Sequence, residues 1–208
     1  MKKNFTNFKL NKKINKEILK KFDDLKNDKF LKSKWIFRKR SFAKAKILKS
    51  KIIWQKQTSF FQAKKNNKYI GGVKRNFYPM SKEIRRYIEE IILNFFEKNL
   101  ISSNKIFLGA HAIRIVCNKR NYGYPVPEGF HHDGFDYVSI ISVNKSEIKG
   151  GKSYLKNAKS NKIVFEKTMK NNEVLFFNDK KLMHYASPIK LVKGRIGFRD
   201  VIVLTFHE

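Results

Sequence analysis

The sequence predicts a mainly β protein with flanking helices, in which a double-stranded β-helix, or jelly-roll, core is buttressed by an N-terminal helical part. Many short β-rich runs alternate with segments rich in Gly, Pro and Asn, as in antiparallel β folds. A chain of 208 residues, 41% of them apolar, is long enough for one domain with its own core. We therefore expect a single domain over residues 1–208, with residues 1–13 as a loose basic lead.

Two amphipathic helices are expected. In residues 14–25, apolar side chains recur every three or four positions between charged ones. Pro79 and Ser81 open the second helix, and Ser81 is a suitable N-cap. The apolar stripe of this helix covers residues 84–96, which is typical of a helix that packs against a sheet.

Strands are expected in both halves of the chain. Residues 35–77 contain three β-rich pieces, WIFRKRSFAKAKI, IIWQKQTSFFQA and KYIGGVKRNF, with Gly71 and Gly72 at a turn. Further runs follow the second helix: LGAHAIRIVCN, FDYVSIISV, KIVFEKT, EVLFF and the closing run GFRDVIVLTF. The segment CNKRNYGYPVPEG is rich in Gly, Pro, Asn and Tyr, which indicates a loop.

The formal charge of +30 is concentrated in the first 80 residues, which contain 25 basic and 4 acidic residues. Such asymmetry is typical of proteins that bind nucleic acids or anionic membranes. The lysines are scattered among apolar residues, however, and the frequent Lys, Asn, Ile and Phe are those that A/T-rich codons encode. We therefore expect contacts with nucleic acid to be weak and non-specific.

No apolar run is long enough to span a bilayer, and no apolar segment follows the basic N-terminus. The single cysteine, Cys117, has no partner for an internal disulfide. In its alternating run it reads as a small buried hydrophobe. These features predict a cytoplasmic protein without a membrane segment.

A candidate metal site centres on the segment PEGFHHDG, residues 127–134. His131 and Asp133 are two residues apart, and on an extended chain such residues point to one face. His132 points to the other face and is not expected to be a ligand. His184 follows a second apolar run, and strand pairing would bring it opposite the pair. Two histidines and a carboxylate on one side of a metal form the facial triad of non-haem Fe(II) oxygenases.

An HxD triplet alone is weak evidence for a metal. It stands here in an ordered series: PEGFHHDGFDYVSIISVN, GGKSYLKN, EVLFFNDKKLMH, SPI and GFRDVIVLTF. This series, which covers the C-terminal half of the chain, resembles the 2OG-Fe dioxygenase family. Known members of that family hydroxylate free amino acids, the L-isoleucine 4-hydroxylases among them.

The resemblance implies an Fe(II) centre with 2-oxoglutarate as co-substrate and O2 as oxidant, within a metal and co-substrate core at residues 127–206. The far carboxylate of 2-oxoglutarate needs a buried cation, for which a planar guanidinium is well suited. Arg195 lies in the VKGRIG turn, where its side chain should be exposed, whereas Arg199 begins the last strand. We expect Arg199 to bind the co-substrate, in agreement with the Arg-Asp pair that the family motif places before its last strand.

The resemblance also implies hydroxylation of a side-chain carbon of a free aliphatic L-amino acid, with release of succinate and CO2. Such a substrate needs an anion for its ammonium group and a cation for its carboxylate. The candidates for the anion are Glu128, Asp136 and Asp179. Arg114 is the candidate for the cation, with His111 as a further substrate contact. Glu128 and Asp179 also have structural interpretations, because either carboxylate could hold its own loop.

Three other functions stay open at the level of sequence. A nucleic-acid-directed 2-oxoglutarate oxygenase would use the basic N-terminal region as a phosphate track, and tight, salt-sensitive binding to DNA or RNA would favour it. A cupin-like oxygenase without 2-oxoglutarate would keep the metal but not need Arg199. A non-catalytic basic jelly-roll binding module would keep the fold alone.

Overall fold

The computed structural model describes residues 4–11, 14–56, 59–66, 69 and 71–208. The helices in these residues are α1 (Lys16–Asp23) and α2 (Lys82–Glu97). The strands, in chain order, are β1 (Phe5–Lys9), β2 (Arg38–Leu48), β3 (Lys51–Trp54), β4 (Ser59–Phe60), β5 (Arg75–Asn76), β6 (Tyr78–Pro79), β7 (Lys105–Asn118), β8 (Tyr137–Ser146), β9 (Ile148–Gly150), β10 (Ser153–Asn157), β11 (Ile163–Lys167), β12 (Glu173–Asn178), β13 (Leu182–Ala186), β14 (Ile189–Leu191) and β15 (Ile196–His207).

A large sheet organises the molecule, with strand order β1-β12-β8-β15-β7-β2-β3. Neighbours along this path are antiparallel, and the short β6 adds a parallel pairing with β2. A three-stranded sheet has the order β11-β10-β13, and two-stranded sheets are formed by β14 with β9 and by β4 with β5. The strands that carry the C-terminal motifs are therefore divided between the large and the three-stranded sheet.

One face of the large sheet packs against both helices. Small residues of β2 and β7, such as Ala43, Ala45 and Ala112, let the helices approach the sheet. Ile88 and Ile92 of α2 are fully buried against this face. Burial of each such side chain is worth about 1.5–3 kcal/mol, so this cluster is the main hydrophobic core.

The other face of the large sheet carries the alternate residues of the same strands. The strand register sets Arg38 of β2 beside Ile115 of β7, and Ile115 beside Arg199 of β15. The next row in the same direction is Arg40, Ile113 and Val201. Basic and branched apolar side chains are thus brought to one face by residues far apart in the chain.

The three-stranded sheet covers part of this second face. Leu155 of β10 and Leu182 of β13 are buried against Val138 and Leu175 of the large sheet. This second hydrophobic cluster fixes the position of β13, the strand that carries His184. The space between the two sheets is where the candidate site lies.

The prediction of a mainly β protein is confirmed, and a large antiparallel sheet covered by a smaller one is consistent with a jelly roll. Both predicted helices are present. Asn15 caps α1 by accepting a bond from the Ile18 N–H (2.9 Å), and Ser81 caps α2 through the Ile84 N–H (3.3 Å). The described residues do not show an N-terminal helical part as a separate unit, because five strands, β2 to β6, separate the two helices in the chain.

The prediction of a loose lead is wrong for residues 5–9, which form the edge strand β1. This strand pairs with β12 in antiparallel register, from Phe5 beside Phe177 to Lys9 beside Glu173. Apolar residues explain the difference, since Phe5 and Phe8 both pack against buried clusters. Residues 1–3 and 12–13 of the predicted lead lie outside the described residues.

The β-rich pieces predicted in residues 35–77 are confirmed where strands β2 and β3 occur, and β4 to β6 are only two residues long. The turn at Gly71 and Gly72 is also present, and Gly72 has a φ of +83°, in the left-handed region that favours glycine. Parts of the pieces IIWQKQTSFFQA and KYIGGVKRNF, at residues 57–58, 68 and 70, lie outside the described residues.

Cys117 is a free, buried residue of β7, as its alternating run predicts. Within the part of the chain that the structure describes, neither helix combines the length and the apolar character that a bilayer crossing requires.

Arg114 supports the fold instead of lining the pocket, which corrects its assignment as a substrate contact. It alternates with the pocket-facing Ile113 and Ile115 on β7, so it points to the helix side of the sheet. Its Nε and Nη2 donate to the two carboxylate oxygens of the buried Asp200 at 2.7 and 2.8 Å, and its Nη1 donates to Asp23 at 2.6 Å. Arg114 thereby joins β7, β15 and the end of α1.

We expect Asp200→Ala to lower the free energy of unfolding by about 3–5 kcal/mol, because it leaves the guanidinium of Arg114 buried without its main partner. Asp23→Ala is the matched control. The Asp23 side chain is 65% exposed, so its loss should cost only about 0–1 kcal/mol. Urea unfolding followed by circular dichroism measures both variants. Equal, small losses would contradict a supporting role for the Arg114 pair.

Candidate metal centre

The candidate metal centre is built where the loop before β8 meets β13. His131 and Asp133 lie in that loop, and His184 lies on β13. The backbones of His131 and His184 form an isolated antiparallel bridge, in which each N–H donates to the other carbonyl at 3.2 and 3.0 Å. The predicted strand pairing between the two histidines is therefore confirmed, and their relative position is set by the backbone.

The three side chains turn their ligand atoms toward one another. His131 Nε2 lies 3.5 Å from Asp133 Oδ1, and His184 Nε2 lies 3.6 Å from Asp133 Oδ2. Each of the three residues offers one atom, and these atoms all lie within 4.8 Å of one another. Distances of 3.5 Å and more are too long for good hydrogen bonds, so the nitrogens and the carboxylate face a shared centre without closing it.

The remaining imidazole nitrogens point away from this centre. His131 Nδ1 lies 3.1 Å from the carbonyl oxygen of Gly129, which can only accept, so the proton is fixed on Nδ1 and Nε2 is left for a metal. His184 Nδ1 is buried, has no hydrogen-bond partner within the described part of the chain, and lies 3.9 Å from Asp179 Oδ1. Two nitrogens and one carboxylate, with a second carboxylate behind one imidazole, fit a divalent iron.

Asp179 holds the turn that presents Asp133. Its carboxylate accepts from three consecutive backbone N–H groups, those of Asp133 (3.1 Å), Gly134 (2.7 Å) and Phe135 (3.1 Å). Gly134 has a φ of +89°, which a residue with a side chain rarely adopts. Burial and the charge of Asp133 raise the pKa of Asp179 to about 6, although the three N–H donors oppose this shift. Asp179 therefore has a structural role, which is to hold the turn that carries Asp133.

Burial and charge separate the pKa values of the three candidate ligands. Burial lowers the pKa of His184 to about 3, and the neighbouring His131 adds to this effect. Burial alone would lower the pKa of His131, but contact with Asp133 and the charge of Glu128 outweigh it and raise the value to about 9. Burial would raise the pKa of Asp133, yet both histidines hold it well below its usual range. A proton and a metal thus compete for His131 Nε2.

Gln62, like Asp179, holds Asp133 in place, and it does so by a direct hydrogen bond to the carboxylate. Its Nε2 donates to Asp133 Oδ1 at 2.9 Å and to the Asp133 carbonyl at 3.2 Å. Its Oε1 accepts from Nη2 of the buried Arg75 at 3.2 Å. The sequence gives no motif for Gln62, because it reaches the site from a segment that is 71 residues away in the chain.

Arg199 lies in the same pocket as the three candidate ligands. It is buried on β15, and its Nη2 lies 3.4 Å from Ser153 Oγ, at the limit of a hydrogen bond. Burial lowers its pKa to about 10, so the guanidinium is still charged at neutral pH. Arg195 is exposed in the turn before β15, as the sequence predicts. Of the two arginines, only Arg199 faces the pocket.

The pocket between the sheets has an apolar wall and a basic wall. The apolar wall is formed by branched side chains: Ile113, Ile115, Val126, Ile140, Val201 and Val203. The basic wall is formed by four buried arginines: Arg38, Arg40, Arg75 and Arg199. Such a site is suited to a small ligand that has an apolar part and at least one negative charge.

Of the other predicted substrate contacts, only some lie at the pocket. Glu128 lines the pocket, 3.8 Å from His131 Nε2, and His111 lines it as a buried residue whose pKa is held far below its usual range by burial and by Arg40. Asp136 does not line the pocket, because its carboxylate accepts from the Glu208 N–H and pairs with His207 and Lys180. His132 lies outside the group of candidate ligands, as predicted, and its Nδ1 contacts the Asp179 carbonyl.

Solved structures share this fold. A bsmA homolog from Methylobium petroleophilum PM1 is 23% identical, with a TM-score of 0.81 over 92% of this chain and 80% of that chain. IDO from Bacillus thuringiensis is 19% identical, with a TM-score of 0.74 over 99% and 90% of the two chains. An oxidoreductase of the 2OG-Fe(II) oxygenase family from Burkholderia pseudomallei is 10% identical, with a TM-score of 0.56 over 98% and 85%. No curated protein sequence matches this chain.

The family model described as 2OG-Fe dioxygenase matches residues 19–205. This match covers the end of α1, all of α2, the three candidate metal ligands and Arg199. Enzymes of this kind use Fe(II), 2-oxoglutarate and O2, and the cluster of His131, Asp133 and His184 has the composition that such an iron requires. The chain belongs to the 2OG-Fe dioxygenase family.

Proposed function

We propose that this dioxygenase hydroxylates a side-chain carbon of a free aliphatic L-amino acid, with iron held by His131, Asp133 and His184. The observation that supports this proposal best is the position of the three ligand atoms, within 4.8 Å of one another, at the end of a small pocket with one apolar wall. The pocket is lined by the large sheet and, across from it, by β13 and the loop of residues 125–133, so a small molecule fits it better than a polymer.

The bound iron supplies the oxidative chemistry, in which 2-oxoglutarate and O2 are converted to succinate and CO2 while one oxygen atom enters a C–H bond of the substrate. The protein's residues position the reactants for this chemistry and exclude water. Asp133 is fixed by Gln62 on one side and by the Asp179 turn on the other, so its carboxylate is oriented before any metal binds.

Arg199 is the proposed partner of the far carboxylate of 2-oxoglutarate. Arg199 is 7% exposed and keeps its charge at neutral pH, and among the described residues its guanidinium has only a long hydrogen-bond contact, with Ser153. A planar guanidinium can donate two parallel hydrogen bonds to a carboxylate. The neighbouring Asp200 points to the opposite face and pairs with Arg114, so it does not neutralise Arg199 within the pocket.

Glu128 is the proposed partner of the substrate's ammonium group. It is close to the metal centre, at 3.8 Å from His131 Nε2, and its side chain is only 11% exposed. The branched residues Ile113, Val126 and Val203 offer apolar contacts for an aliphatic side chain. The resemblance to amino-acid hydroxylases in the C-terminal motifs supports the same substrate class.

We expect Arg199→Met to weaken 2-oxoglutarate binding at least about thirtyfold, because a buried charge loses its partner at a cost of roughly 2–5 kcal/mol. Arg195→Met, which removes an exposed arginine four residues earlier, should change the affinity little. Anaerobic titration of the Fe(II)-loaded protein with 2-oxoglutarate measures both. A larger loss in Arg195→Met than in Arg199→Met would contradict the assignment.

The proposed substrate class is tested with a panel of free amino acids in the presence of Fe(II), ascorbate and 2-oxoglutarate. We expect isoleucine, leucine or methionine to gain one oxygen by mass and to yield succinate in equal amount. Methylated DNA and RNA, assayed at physiological salt, should give neither, because salt screens non-specific phosphate contacts. Oxidation of a nucleobase without turnover of any amino acid would contradict the proposal.

A further inference from the structure

We propose that Arg40 and Arg75 form a carboxylate clamp, separate from Arg199, which makes a free carboxylate the defining feature of the substrate. This inference rests on the proposed function, since it names the cation that an amino-acid substrate requires. Arg114, the candidate from sequence, is fully engaged with Asp200 and Asp23 on the other face of the sheet. The basic wall of the pocket supplies the cation instead.

Buried donors without partners are the first observation. Arg40 is 9% exposed and Arg75 is 2% exposed, and the Nε of each has no hydrogen-bond partner among the described residues. Buried polar groups are nearly always hydrogen-bonded, and an unsatisfied charged donor costs more than a neutral one. Two such donors beside one pocket indicate that a ligand satisfies them.

Arg38, on the same wall of the pocket, has the Nε hydrogen bond that Arg40 lacks among the described residues. Its Nε donates to the buried Asp28 at 2.7 Å, whereas Arg40 Nε lies 3.7 Å from the same oxygen, beyond hydrogen-bond distance. Asp28 also accepts from the Phe30 N–H at 3.0 Å. Asp28 is thus committed to Arg38, and Arg40 gains from it only a charge at longer range.

Charge balance is the second observation. Burial lowers the pKa of both Arg40 and Arg75, and repulsion from the nearby charge of Arg38 lowers it further. Asp28, Asp133 and Glu128 are the acidic groups that offset them, but Asp28 is hydrogen-bonded to Arg38 and Asp133 belongs to the candidate metal centre. A ligand carboxylate would give Arg40 and Arg75 a hydrogen-bonded partner of opposite charge, while Glu128 is the proposed partner of the ammonium group.

Aromatic rings fix the orientation of the two guanidinium groups. Arg40 lies over the ring of Phe77, with its Cζ 4.9 Å from the centroid, and Arg75 lies over Phe60 at 5.0 Å. Stacking on an aromatic face leaves the in-plane N–H groups free to donate. The clamp is therefore oriented before the ligand arrives, which lowers the entropy lost on binding.

The clamp is also connected to the metal centre. Arg75 donates to Gln62, and Gln62 donates to Asp133, so two hydrogen bonds separate the clamp from a candidate iron ligand. A substrate carboxylate held here would lie beside the metal and leave the aliphatic part to reach the apolar wall. Amines, internal residues of peptides and nucleobases lack this group and should be excluded.

Ligand binding to the protein loaded with Fe(II) and 2-oxoglutarate under argon tests the clamp without turnover. The probes are L-isoleucine, L-isoleucinol, which lacks the carboxylate, and 3-methylpentanoate, which lacks the ammonium group. We expect wild-type protein to bind isoleucine at least about thirtyfold more tightly than isoleucinol, since one partner of a buried charge pair is missing. In Arg40→Met this ratio should fall close to one, with 2-oxoglutarate affinity unchanged, and in Arg75→Met the ratio should fall as well. Arg195→Met is the matched surface control and should behave as wild type.

Stability separates a binding role from a structural one. Arg40→Met leaves Asp28 paired with Arg38 and removes a buried charge, so its melting temperature should equal or exceed that of wild type. If Arg75→Met does not fold, Arg40→Met with Arg75→Lys decides the question. A wild-type protein that binds isoleucinol as well as isoleucine, or an Arg40→Met protein that keeps the wild-type ratio, would overturn the clamp.

Failure of the clamp and failure of the proposed function give different results. If no amino acid is hydroxylated but 3-methylpentanoate binds wild type and not Arg40→Met, the clamp stands and the substrate is another carboxylic acid. If isoleucine is hydroxylated with the same kcat/KM by wild type and Arg40→Met, the function stands and the clamp is overturned. If wild type binds neither carboxylate probe, the clamp is overturned as well.

Discussion

The carboxylate of Asp179 is the constraint on which the metal centre depends. It is 1% exposed and accepts from the N–H groups of three consecutive residues, 133–135, so it closes the turn that carries Asp133. The same carboxylate lies 3.9 Å from His184 Nδ1. The buried Asp179 thus sets the position of Asp133, the candidate ligand in the loop, and lies behind His184, the candidate ligand on β13. The His131 to His184 backbone bridge completes the arrangement.

One face of the large sheet contributes mainly to stability, and the other face lines the candidate site. On the helix side, buried branched residues and the Arg114 to Asp200 pair join the elements, and the polar groups of that pair are satisfied. On the pocket side, the buried Nε groups of Arg40 and Arg75 have no hydrogen-bond partner among the residues that the structure describes. The fold tolerates these unpaired donors because the helix side of the sheet supplies enough stability. Ionisable groups in an unfavourable environment beside a pocket are typical of a functional site.

Much of this site could be predicted from sequence because local rules apply to it. Residues 131 and 133 share a face because of the two-residue period of an extended chain, and Arg199 differs from Arg195 because one begins a strand and the other lies in a turn. Strand register explains the failures. An arginine on β7 could face either side of the sheet, and the register turns Arg114 away from the pocket that Ile113 and Ile115 line. Arg40 and Gln62 come from a strand and a loop whose partners no local pattern identifies.

A compositional signal for the missed arginines is nevertheless present. Only nine of the 47 basic residues are arginines, and five of these nine are buried. In the part of the chain that the structure describes, no lysine is among the buried residues. In a sequence whose composition favours lysine, an arginine at an apolar, alternating position therefore indicates a specific partner, either a buried carboxylate as for Arg114 or a ligand as proposed for Arg40.

Anaerobic titration with Fe(II) tests most directly whether His131, Asp133 and His184 hold one metal. Wild-type protein should bind one Fe(II) per chain, and replacement of any of the three residues by Ala should weaken binding at least about a hundredfold, beyond the loss typical of residues that only support a ligand. His132→Ala removes the neighbouring imidazole and should keep the affinity of wild type. Wild-type affinity in His184→Ala, or loss of the metal in His132→Ala, would contradict this iron centre.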